Sequence, residues 1–197
     1  MNYPTFFDTV ESVTLYDPLS DVLGAFDDGK ITFSYLDVVK SAGHSCPTMA
    51  GAYLMIREGL KALYPNGVPE RGAIKVLFKE NQDEGTTGVI ANAFSLITGA
   101  TDNWGFKGLG GKYVRKDLMT FHADIPLSVR MIRIDTQAYV DIVYNPNSIE
   151  IDPMMQPLMK KILTGVLSQE EKVAFGTLWQ ARVAKILENF DKVITIK

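Results

Sequence analysis

An imidazole and a thiol stand one residue apart in Gly43-His44-Ser45-Cys46-Pro47, directly before a segment with helical periodicity. A helix N-terminus presents unpaired N–H groups and about half a unit of positive charge, which favours thiolate over thiol. Thiolate and imidazole together make a two-point chelate for zinc, nickel or another borderline metal. Gly43 lets the backbone bend tightly enough for both side chains to address one point. The pair also suits two other roles. Cys46 could be a nucleophile or redox centre with His44 as its base, or an inert buried thiol beside a hydrogen-bonded histidine.

A tetrahedral metal site needs at least one more protein ligand. The chain has one cysteine and two histidines, so the candidates are His122 and the acids Glu80, Asp83 and Glu84. His122 is the softer donor and comes first; Glu84, in the polar setting of Gly85-Thr86-Thr87-Gly88, comes second. These acids serve equally well as partners for the dipole of the helix that follows. An open site would be completed by water, which would then be the nucleophile or mark the position where substrate exchanges. The glycine-rich stretch Trp104 to Lys112 lacks P-loop spacing; it is a flexible connection or an anion cradle charged by Lys107 and Lys112. Arg130 and Arg133 are ion-paired, solvated or anion-binding. No Ser-His-Asp motif and no dinucleotide fingerprint occurs.

The elements that must position these residues follow from periodicity. Met49, Ala52, Tyr53, Ile56, Leu60 and Leu63 predict one helix over 47–63, opened by Pro47 and stopped by Pro65-Asn66-Gly67. Alternation around Ile74, Val76 and Phe78 predicts a strand, and Val89 to Ile97 a second core helix closed by Gly99. Val114 to Ala123 reads as a strand with Leu118, Thr120 and His122 on one face; 128–134 and 138–144 read as a hairpin. Phe6, Phe7, Val10 and Val13 predict an N-terminal helix, and Pro18 opens another with Leu19, Val22, Leu23 and Phe26 inward. Residues 154–163 form an apolar segment interrupted by Pro157, and Ser168-x-x-Glu171 is a capping box before a last helix. The class is α+β: an antiparallel-rich sheet with core helices and extra helices at both termini. Three stretches are distinguished: an N-terminal extension (1–34), the core (35–150) and a C-terminal helical segment (151–197).

The 197 residues carry 20 Lys+Arg against 23 Asp+Glu, a net charge of −3, and no basic patch, which argues against a nucleic-acid partner. One cysteine cannot form an internal disulfide. Six acids precede the first basic residue, Lys30, so the start lacks the positive region of a signal peptide. The longest uncharged stretch, 85–101, is too short and polar to span a bilayer. The expected location is the cytoplasm. The terminal segments hold more large apolar residues than one core needs, among them Phe6, Met154, Met159 and Trp179, which predicts a homodimer.

The segment 42–53, with its Gly-His-x-Cys-Pro at the head of a long helix, resembles the FmdE family, which takes its name from formylmethanofuran dehydrogenase. Leu96-Ile97-Thr98-Gly99-Ala100-Thr101 and Gly110-Gly111-Lys112 resemble it too, and the likeness runs from about Leu36 to Tyr144. It implies an α+β core, an intertwined homodimer and a metal near His44 and Cys46, and a link to redox or one-carbon metabolism. It implies no particular enzymatic activity. A non-catalytic interaction module of a larger complex is the alternative. Family members often carry a second cysteine and an Asp-Ala-Ile-Gln stretch in the second core helix, where this chain has Gly88-Val89-Ile90-Ala91-Asn92-Ala93. Many also end in a cysteine-rich zinc finger, which a single cysteine cannot build.

Overall fold

Helix α3 (Pro47–Leu63) is the axis of the structure: 12 of its 17 residues are buried, polar Arg57 among them. A helix apolar nearly all round has to be surrounded, and it is. The computed structural model describes residues 2–197. On one side of α3 lies a five-stranded sheet made of β3 (Ile74–Phe78), β4 (Met119–Thr120), β5 (Val129–Arg133), β6 (Tyr139–Tyr144) and β7 (Ile194–Ile196). Its order is β4-β3-β5-β6-β7, antiparallel except for the β3–β4 pair, which α4 (Thr87–Thr98) and a long loop connect. Ile74, Val76, Phe78, Val129, Met131 and Ile142 turn inward from this sheet.

Two glycines let α3 approach it. A Cβ at Gly51 would lie 2.3 Å from the Tyr144 ring, and one at Gly59 would lie 2.5 Å from the Met131 sulfur. Side chains there would push helix and sheet apart.

Helix α2 (Tyr35–Ala42) packs on α3 and α4, opened by a Ser34–Asp37 capping box and closed by left-handed Gly43. The N-terminal residues form a 3₁₀ turn (Thr5–Thr9) and a separate hairpin-like pair of strands, β1 (Val13–Tyr16) and β2 (Lys30–Phe33), with α1 (Pro18–Leu23) between them. Helix α5 (Met155–Thr164) leads to α6 (Gln169–Glu188), which lies on α3; a last turn, α7 (Phe190–Val193), feeds β7. Both the Ser168–Glu171 capping box and the Gly99 cap form as predicted. Among the described residues no helix is long and apolar enough to cross a membrane.

The α+β class is therefore what the chain adopts, with four local differences. Val13 belongs to a strand, because it pairs with Phe33 rather than continuing a helix from Phe7. Val22, Leu23 and Phe26 point outward and are exposed. Pro157 sits in the first turn of α5, where its missing N–H costs nothing, so it starts that helix rather than interrupting it. The strand predicted over 114–123 shrinks to Met119–Thr120. Asp117 (φ 58°) and His122 (φ 55°) are left-handed on either side of it, and extended structure cannot pass through such residues.

Candidate functional site

Left-handed Gly43 (φ 76°) ends α2 and turns the chain straight into α3, so the Gly43–Pro47 corner is fixed by two helices. His44 is exposed, and its Nδ1 donates to the Ala42 carbonyl at 3.0 Å. In the neutral ring that bond puts the proton on Nδ1 and leaves the lone pair on Nε2, which has no hydrogen-bond partner among the described residues. Two residues on, Cys46 is the N-cap of α3, where asparagine, aspartate or serine usually stands. Its Sγ accepts from the Met49 N–H at 3.5 Å, and the residue is only 9% exposed.

Between them, Ser45 is clamped from three directions. Its carbonyl accepts from Trp179 Nε1 at 3.0 Å and Gln180 Nε2 at 3.3 Å, both on α6. Its hydroxyl shares a 2.9 Å bond with the Tyr35 hydroxyl on α2. One residue past Cys46, the Pro47 carbonyl accepts from the Tyr144 hydroxyl of β6 at 2.8 Å. Burial raises the pKa of both tyrosines, Tyr35 against the opposing Ser45 hydrogen bond and Tyr144 against Arg182. Both stay phenols and therefore donors. None of these four anchoring residues was legible as part of the site, since Trp179 lies 134 positions from Ser45.

His44 forms part of the wall of a cavity of about 510 Å³ bounded by α2, α3, α4 and Trp104. His122 and Glu84 lie elsewhere. His122 is exposed in the turn after β4, its backbone N–H donating to the Glu80 carbonyl at 3.0 Å. Glu84 is exposed in the β3–α4 loop and accepts weakly from the Asn81 N–H at 3.4 Å. Among the described residues, no three His, Cys, Asp or Glu side chains gather as a metal would require. The chemistry of the His44–Cys46 pair fits a borderline metal, since imidazole Nε2 has no hydrogen-bond partner among the described residues.

The glycine-rich stretch and the two arginines have structural roles. Leu109 and Lys112 exchange backbone hydrogen bonds around left-handed Gly110 and Gly111, so the glycine-rich stretch is a tight turn. Arg130 forks onto Asp141 with two 2.7 Å bonds and stacks on Tyr139, and Arg133 pairs with Asp135 over Tyr64. That pairing lowers the Asp135 pKa to about 2.

The fold supplies an α+β core with a His-x-Cys corner at the head of its central helix, and sequence comparison places that arrangement in a family. The model of the family described as "FmdE, Molybdenum formylmethanofuran dehydrogenase operon" matches residues 42–195. The chain belongs to this family. The matched region begins one residue before Gly43 and runs through α5, α6 and into β7, well past Tyr144. A comparison with curated proteins finds no match.

Proposed function

We propose that this family member is a metal-binding protein whose site is the Gly43–Pro47 corner, with His44 Nε2 and Cys46 Sγ as the chain's own donors. Zinc is the first choice of ion and nickel the second, because the donor set is one imidazole and one thiolate. The observation that carries the reading is the Nδ1 bond to Ala42, which leaves the Nε2 lone pair as the ring's donor atom, with one residue between this histidine and the thiol. Remaining positions fall to water, a small molecule from the adjacent cavity, or a second copy. His122 and then Glu84 are the donors such a copy would offer, since both are exposed. The family description supports a role beside redox or one-carbon chemistry. Protein purified after growth with zinc and nickel is expected to hold up to one ion per chain, measured by mass spectrometry. Cys46→Ser and His44→Ala should lose it; equal metal in all three sinks the proposal.

A second reading, Cys46 as a reactive thiol, is favoured by the Met49 N–H donated to its sulfur. Iodoacetamide distinguishes it: alkylation no faster in the folded than in the unfolded chain removes that reading.

A further inference from the structure

The cavity beside His44 has a lining with a distinctive chemistry: no Lys, Arg, Asp or Glu among the described residues faces it. At about 510 Å³ it lies within the ordinary range of small-molecule sites. Three hydrogen-bonding side chains, Ser41, Asn92 and Ser95, line it together with His44, and none of the three makes a side-chain hydrogen bond among the described residues. Val38, Met49 and Leu96 supply apolar floor from three helices. At the rim stands Trp104, 65% exposed, its indole N–H also without a partner among the described residues. An exposed indole in contact with a cavity offers a flat face on which a ring can stack.

Charge decides the class of occupant. With no metal at the corner, an ion entering this cavity would lose part of its water and meet no Lys, Arg, Asp or Glu among the described residues, a penalty that the dipoles of two serines and one amide do not fully cancel. A neutral molecule loses little, and the free amide of Asn92 can pair with both a donor and an acceptor at one edge. We propose that the cavity binds an uncharged, ring-bearing small molecule with an amide-like edge, its ring against Trp104 and its polar edge on Asn92 and Ser95. The proposal rests on the corner at His44 being a functional site, and it specifies what the site receives.

Three probes of nearly equal shape test it: benzamide, neutral; benzoate, an anion; benzamidine, a cation. Calorimetric titration into the full chain, stripped of metal with a chelator, is expected to show millimolar binding of benzamide and at least tenfold weaker binding of the two ions. Trp104→Ala and Asn92→Leu, both at exposed positions, should each weaken benzamide at least fivefold while the melting temperature holds. Benzoate or benzamidine binding as well as benzamide overturns the proposal, as does benzamide binding that neither variant weakens. Repeating the titration with Cys46→Ser separates the two readings: benzamide binding retained there supports the cavity whatever the metal result, and binding lost there overturns a metal-independent pocket.

Discussion

Gly51 is the residue on which helix α3 and strand β6 meet, and two opposing effects act on its replacement. Alanine in a helix interior gains about 1 kcal/mol over glycine. Against this, the new methyl would meet three Tyr144 ring atoms at 2.3–2.6 Å. The ring cannot swing away without giving up the hydroxyl bond to Pro47, and overpacking of this kind costs about 1–3 kcal/mol. Gly51→Ala is therefore expected to lower the urea-unfolding free energy by up to about 2 kcal/mol net. Gly176→Ala, on exposed α6 with nothing within 4 Å, should raise it by up to about 1 kcal/mol. If both shift stability the same way, close packing at Gly51 is not what the residue serves. At this scale the sequence showed the chemistry and not its support. His44 and Cys46 are near neighbours in the chain, so their pairing can be read from spacing. Trp179, Gln180, Tyr35 and Tyr144 reach the same corner only through the fold, and a lone aromatic carries no sign of which carbonyl it will find.

Between elements, Asp17 is the knot. It is 5% exposed and caps α1 by accepting from Leu19 N–H and Ser20 N–H. The same carboxylate takes Arg71 at 3.0 Å and Arg115 at 2.7 Å, while Arg71 also donates to the Ile97 and Leu96 carbonyls at the end of α4. Burial works against its charge, but the arginine and backbone hydrogen bonds outweigh burial and lower its pKa. A depressed carboxylate stabilises the fold above its unfolded-state pKa of about 3.9, and that stability is lost as the pH falls through the folded value. Asp17→Asn should cost about 3 kcal/mol at neutral pH, since it leaves two arginines short of a buried partner. The gap between wild type and variant should narrow below about pH 4; urea titrations showing the same gap at both pH values would contradict an electrostatic clamp. Elements with strong local signals were legible: α3 between Pro47 and Pro65, α4 up to Gly99, the β5–β6 hairpin. Strands β1 and β7 were not, because three or four residues carry too little pattern and their partners decide, and β4 was foreseen but read eight residues too long. For β7 the alternation in Val193-Ile194-Thr195-Ile196 was a usable sign, overshadowed by the long helix before it.

For the whole molecule, α5, α6 and the loop between them leave large apolar side chains in solvent: Leu163 is 80% exposed, Val166 66% and Val173 61%. We propose that these contribute to a homodimer surface, as expected from the apolar surplus of the terminal segments. Light scattering at micromolar concentration should give twice the chain mass, and Leu163→Glu with Val166→Glu should return it to one; a wild-type monomer contradicts the proposal. The five-stranded sheet constrains how such copies could meet. Its two borders are β4, with two residues, and β7, with three. So short a border offers an incoming strand almost no backbone to grip, and it is a common protection against runaway polymerisation. Strand addition at either border of this five-stranded sheet therefore finds little backbone on which to begin, and contacts made on this side of the molecule fall to side chains.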